Sequence, residues 1–208
     1  MSKTILAILL SVTALSAQAQ YDLLIKGGHV IDPKNQIDRP MDVAITAGKI
    51  ARVAANIPAA EAKKVIEADG LTVAPGLIDI HVHVFQRPED KSIERDSSVQ
   101  IDAHSFRSGV TTVVDAGTPG ARNFPEFRRR VVEKSNTRVL ALLNISAGGM
   151  GTGTEDELNL LIPDEAARAA KANRDVVVGF KSAHFGGPGW ESIEAAVKAG
   201  NEADMPVM

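Results

Sequence analysis

Two histidines one residue apart, His81-Val82-His83, stand at the end of an apolar run that opens at Leu77. Side chains alternate along an extended segment, so both imidazoles project from one face, and Asp79 shares it. Two neutral imidazoles converging in this way are a ligand pair for Zn²⁺ or a similar divalent ion. The chain contains no cysteine, which excludes disulfides and thiolate metal sites. Any metal is therefore held by nitrogen and oxygen donors from His, Asp, Glu or a modified Lys. A bare His-x-His also describes surface histidines and satisfied core histidines. The context favours ligands: the turn Val73-Ala74-Pro75-Gly76 launches the run Leu77-Ile78-Asp79-Ile80-His81-Val82-His83-Val84, and an apolar strand has no packing reason to carry two polar rings.

Further apolar runs follow at Gly109–Asp115, Arg138–Ile145 and Val176–Lys181, and another starts at Met205-Pro206-Val207. Helical stretches separate them. Phe124–Lys134 is amphipathic with a basic face, Pro163–Asn173 opens with Pro, Asp and Glu, and Trp190–Ala203 is rich in Ala and Glu. Continuously apolar strands alternating with helices are the pattern of βαβ units around a parallel sheet buried on both faces. No Gly-x-Gly-x-x-Gly follows any of these strands, so a doubly wound dinucleotide fold loses its main support and a TIM barrel is preferred. A full (β/α)8 barrel needs about 250 residues, and roughly 135 follow Leu71. The expectation is an α/β fold with an incomplete barrel over 73–208 that stops at the fifth strand. A complete, smaller α/β domain is the alternative.

Between Tyr21 and Leu71 short strands are broken by Gly and Asp turns: Asp22–Lys26 before Gly27-Gly28, His29–Ile31 before Asp32-Pro33, then Asp42–Ile45, Gly48 and Ile50–Val53. These are hairpin signals for a small N-terminal sheet over 20–72. Ahead of it, Lys3, the apolar stretch Ile5–Leu15 and Ala17-Gln18-Ala19 have the form of a signal peptide over 1–19. Its apolar stretch is short of the about 20 residues of a membrane span. Export to the periplasm or medium is expected, with no membrane association after cleavage. A net charge of −3, no basic run and 4% aromatic residues give nucleic-acid binding little support.

The stretch Pro75–His83 resembles the first barrel strand of the amidohydrolase superfamily, which includes dihydroorotases, hydantoinases and N-acyl-amino-acid deacetylases. Tyr21–Gly28 with Asp42–Ile45 resembles the β-sandwich subdomain that precedes that barrel. Phe106–Gly117 and Gly179–Phe185 are similar to the amidohydrolase/deacetylase metallohydrolases. The resemblance implies that His81 and His83 bind the more buried of two divalent ions, Zn²⁺ by preference. It implies that Lys181 is the lysine carboxylated on its amine to bridge both. Two further histidines and a general-base aspartate, from later strands of the family barrel, have no counterpart before Met208. The implied activity is hydrolysis of non-peptide C–N bonds in small N-acetyl or N-acyl amino acids. A cyclic-amide hydrolase shares the same visible residues. A third reading is a truncated, inactive remnant that retains half a metal site, and homo-oligomerisation is left open.

The remaining polar residues are weaker. Asp115 ends the second barrel strand and serves either a ligand or a turn, and Asp79 is a neighbour of the histidine pair. His184 lies three residues past Lys181, near the rim, as a substrate contact or a loop histidine. Gly148-Gly149-Met150-Gly151 offers backbone N–H groups for a substrate carboxylate, and Arg122 and Arg128 are alternative partners for it. His29 and His104 are read as structural.

Overall fold

The computed structural model describes residues 19–85, 98–151, 153, 155–182 and 184–208. All of the expected leader except Ala19 lies outside the described residues. The chain forms two units that divide between Pro75 and Gly76. This is slightly beyond the expected transition at 72/73, because Thr72 and Val73 still pair within the first sheet.

The first unit is a five-stranded sheet: β1 (Leu23–Asp32), β2 (Ile37–Thr46), β3 (Lys49–Ala54), β4 (Val65–Glu67) and β5 (Thr72–Val73). The order is β3-β2-β1-β4, with β5 also on β1. The β2–β3 hairpin turns at Ala47-Gly48, both with positive φ (50° and 72°), the backbone twist that suits a two-residue connection. Apolar clusters lie on both faces. Leu24 and Ala44 pack with Tyr21 and Ile57, and Val30 packs with Met41 and Val43. The sandwich implied by the resemblance is represented among the described residues by this one sheet.

One local expectation changes. Gly27-Gly28 does not separate two strands but forms a bulge inside the ten-residue β1. The Asp42 carboxylate holds the bulge, accepting Gly27 N–H at 2.8 Å, Ile57 N–H at 2.8 Å and Lys26 Nζ at 3.0 Å. Burial pushes this carboxyl up, but those donors outweigh it and hold the group below its ordinary range.

The second unit contains four parallel strands, β6 (Leu77–Val82), β7 (Val110–Gly120), β8 (Arg138–Asn144) and β9 (Val177–Lys181), in the spatial order β6-β7-β8-β9. Helical segments connect them: α1 (Ile101–Ser105), α2 (Phe124–Phe127) with a π turn over Arg128–Val132, and α3 (Pro163–Ala172). After β9, α4 (Glu191–Ala203) leads to Val207, which bridges Phe180 in parallel and so starts the next strand position. A doubly wound sheet reverses its strand order at a switch point, whereas an order that follows the chain without reversal is that of a barrel. The fold is a partial TIM barrel.

Phe124, Phe127, Leu143, Phe180 and a run of helix alanines fill the core between sheet and helices. The burial expected on both faces holds for β7 and β8 but not for β6, where Leu77, Ile78 and Ile80 are more than 60% exposed. Among the described residues β6 has a strand on one side only. The basic stretch after Phe124 is also not a regular helix. Its arginines are tied down by Arg128–Asp175 and Arg130–Glu126 pairs, with the Arg130 guanidinium over the Phe85 ring.

Asp102 fastens α1 to the start of β8. Its carboxylate accepts the backbone N–H and side chains of both Asn136 and Thr137, and the N–H donors of Asn136 and Thr137 hold it down at about 2. A carboxyl depressed on folding stabilises the fold above its ordinary pKa and loses that contribution as pH falls toward the depressed value. Asp102→Asn is expected to cost about 1–2 kcal/mol at pH 7, after allowing for partial exposure, with the gap to the parent closing between pH 4 and 2. Urea unfolding across that range checks it; a gap independent of pH would contradict the assignment.

Candidate metal centre

The strand ends of the second unit converge at one rim. β6 finishes at Val82, and the chain is then held by Asp115 at the middle of β7, whose carboxylate accepts Val84 N–H at 2.9 Å and Thr118 N–H at 2.7 Å. Val84 and Phe85 dive into the core directly beyond. Asp115 is fully buried; burial pushes its carboxyl up to about 6, against the pull of the N–H donors of Val84 and Thr118. Of the two roles weighed for Asp115, the geometry supplies the structural one: it orients backbone and the Thr118 hydroxyl.

His81 and His83 sit where this clamp leaves them. Their rings are 5.6 Å apart, nearly perpendicular. His83 Nδ1 lies 3.0 Å from Thr118 Oγ1, which among the described residues leaves Nε2 as the open nitrogen, the arrangement a partner behind an imidazole gives a metal ligand. Partial burial first, then the charges of His81, His184 and Lys181, lower the pKa of His83, with Glu155 opposing. The lowered value favours the neutral ring, the form whose lone pair can bind a cation. Besides the neighbouring His81, the charges of Lys181, His184 and Glu155 bear on this ring.

Lys181 reaches the site because β7 carries a glycine opposite it. Gly117 has φ +88°, and a Cβ there would lie 2.6 Å from both Cβ and Cγ of Lys181. Asn144, the register partner of Lys181 on β8, donates to Gly117 O at 3.0 Å and closes the cradle. Among the described residues no three His, Asp or Glu side chains converge as a ready metal site. The donor set is two imidazoles and an amine. An ammonium is no ligand, but its carbamate offers two anionic oxygens, so the set fits divalent ions once Lys181 is carboxylated.

Other expected residues lie elsewhere. Asp79 turns its carboxylate to the N–H of His81 at 3.0 Å. His104 is on α1, beside Asp79 in a small hollow of about 130 Å³ that also includes Val82, Ser105 and Val113. His29 pairs with Asp38 in the first unit. In the glycine-rich loop, Gly149 N–H donates to Ser146 O, Met150 N–H to Gly117 O and Thr118 O, and Gly151 N–H to Glu155. These groups are spent within the protein. Arg122 and Arg128 are paired with Glu165 and Asp175. Two residues of the site escaped sequence reasoning. Thr118 has only its place three residues past Asp115 to mark it, and Glu155 is one of several acids in a loop.

A model of the amidohydrolase family matches residues 72–208. The chain belongs to this family. It is 37% identical over 165 residues to a deacetylase of Enterococcus faecalis, an alignment covering 78% of this chain and 41% of that protein. It is also 46% identical over 92 residues to a dihydroorotase of Streptococcus thermophilus, covering 44% and 21%. Among solved structures, an adenine deaminase superposes with a TM-score of 0.76 at 34% identity over 90% of this chain and 50% of that one. The chain thus spans about half the length, or less, of the relatives it matches.

Two substitutions probe the amidohydrolase centre without touching its nitrogen donors. Gly117→Ala is expected to cost about 1 kcal/mol from its positive φ and to displace Lys181, reducing bound metal in a folded protein. Thr118→Val is expected to weaken metal affinity about 10–100-fold. Elemental analysis with thermal melts checks both; full metal content in each variant would remove the roles given to Gly117 and Thr118.

Proposed function

We propose that the protein is a metal-dependent hydrolase of non-peptide C–N bonds whose substrates are N-acetyl and other N-acyl amino acids. The observation that carries this is the His81 and His83 ring pair, 5.6 Å apart with His83 Nδ1 held by Thr118, at the rim where Gly117 leaves space for the Lys181 stem. His81 and His83 would hold one divalent ion, and Lys181 would bridge it to a second, Zn²⁺ being the natural choice for a nitrogen and oxygen donor set. When bound, the ions supply a Lewis acid for the substrate carbonyl and water acidified to a pKa near 7.

The Lys181 amine, deprotonated, forms an N–C bond to CO₂ and releases one proton, which exchanges a repelled cation for a carbamate anion. Thr118 holds the His83 ring at Nδ1, so that Nε2 would be the nitrogen offered to an ion. Asp115, through Val84 and Thr118, keeps the β6 and β7 ends in register with each other. Gly117 gives the Lys181 stem its channel.

Similarity to a deacetylase over 78% of the chain supports a deacetylase over a cyclic-amide hydrolase, since the dihydroorotase alignment covers only 44%. Export completes the proposal, with the leader removed after Ala19. No helix of the described residues is long and apolar enough to cross a membrane.

Steady-state assays of the metal-loaded full-length protein on a panel of N-acetyl amino acids, beside dihydroorotate and hydantoins, test the substrate class. Turnover of the acetyl panel is expected, and His83→Ala should lower kcat/KM at least about 100-fold together with metal content. Absence of acetyl turnover would remove the deacetylase reading, and turnover of the ring substrates would replace it. N-terminal sequencing of the exported protein should begin at Gln20; a mature chain starting at Met1 would contradict cleavage.

A further inference from the structure

The metal centre has a neighbour that the hydrolytic chemistry does not use. Glu155, in the loop after β8, is about 90% buried, yet its carboxylate is fully engaged. Oε1 accepts Asn144 Nδ2 and the backbone N–H of His184, each at 3.1 Å, and Oε2 accepts Gly151 N–H at 3.1 Å. The same Oε1 lies 3.3 Å from His184 Nδ1. One carboxylate therefore ties three rim segments together: the end of β8, the glycine-rich loop, and the loop that follows Lys181. A buried carboxylate accepting this many N–H groups is a rigid anchor.

His184 is held by backbone and ring to that anchor, yet its side chain remains 60% exposed. That anchor is joined to the Lys181 cradle through Asn144, whose Nδ2 donates to both Gly117 O and Glu155. Among the described residues, the groups weighed above for a substrate carboxylate are engaged: the N–H groups of Gly149, Met150 and Gly151 within the loop, Arg122 with Glu165 and Arg128 with Asp175.

We propose that Glu155 and His184 form a dyad that reads the free carboxylate of the substrate. Glu155 is a positioning residue, and His184 is the residue that touches the substrate. Nδ1 faces Glu155 at ion-pair distance, 3.3 Å, and Nε2–H would donate to the substrate carboxylate, so an anion stands at each edge of the ring. No bond is made or broken at His184. The proposal rests on the acyl-amino-acid reading and deepens it by assigning the group that distinguishes an N-acyl amino acid from a neutral amide.

The test compares the best N-acetyl amino acid with its α-carboxamide, which keeps the scissile amide and loses the charge. In the metal-loaded full-length protein, His184→Ala should raise KM for the acid about tenfold with kcat little changed, as expected for loss of one charge-assisted contact made equally in ground and transition states. KM for the carboxamide and metal content should stay at parental values. Glu155→Gln, which keeps the size of the buried side chain, should produce a smaller rise with the same selectivity. The double variant should be no worse than His184→Ala alone, because residues acting through one contact are not additive. The dyad is overturned by unchanged KM in His184→Ala, by equal loss on acid and carboxamide, by loss of metal, or by multiplying effects in the double variant. A parent with no turnover of any N-acetyl amino acid would instead remove the substrate class, and this role with it.

Discussion

Two parallel strands leave a barrel mouth with their backbone N–H groups unpaired, and something must take them if the side chains there are to hold a fixed geometry. Here a single buried carboxylate, Asp115, takes Val84 N–H and Thr118 N–H from adjacent strand ends. Taking a carboxylate out of water is costly, and its raised pKa registers that cost. The return is rigidity: Val84 cannot rotate without abandoning the buried acceptor, so His83 beside it has little freedom. Thr118, held by the same carboxylate, then fixes the His83 ring from behind.

The rest of the rim follows from steric economy. Gly117 has no side chain, so the stem of Lys181 occupies the space a Cβ would fill. Asn144 closes the same cradle and passes its second donor hydrogen to Glu155. The site therefore rests on two buried acids in series. One sets the histidine pair, and the other organises the loops around it. Neither points an unshared charge at the centre, since both are surrounded by N–H donors, which leaves the cluster a surplus of nitrogen. A site rich in nitrogen and poor in carboxylate suits a lysine that becomes anionic by modification.

Exposure on β6 has a plain consequence for packing. Leu77, Ile78 and Ile80 present apolar surface that the described residues do not cover, while β7 and β8, flanked on both sides, are buried. The His81 and His83 rings thus stand on the least enclosed strand of the sheet. The clamp at its end does for their orientation what packing along the strand does not.

Much of this architecture is legible in the sequence by itself, because it depends on periodicity and residue type. Apolar runs between Gly and Pro turns locate β6 to β9 within a few residues, the Pro-Asp-Glu opening locates α3, and the His81-Val82-His83 spacing places two imidazoles on one face. The lack of cysteine limits the donors to nitrogen and oxygen. Tertiary structure alone decided the rest. The bulge at Gly27 is held by a pair 15 positions apart, Gly27 with Asp42, and the π turn after Phe127 carries an arginine paired 47 positions away, Arg128 with Asp175. Asp115 resolved into a clamp, Asp79 turned to a backbone N–H, and Glu155 emerged from an acidic loop as a buried anchor. No local pattern marks such residues, because their partners are chosen by the approach of strands and loops that are distant in the chain.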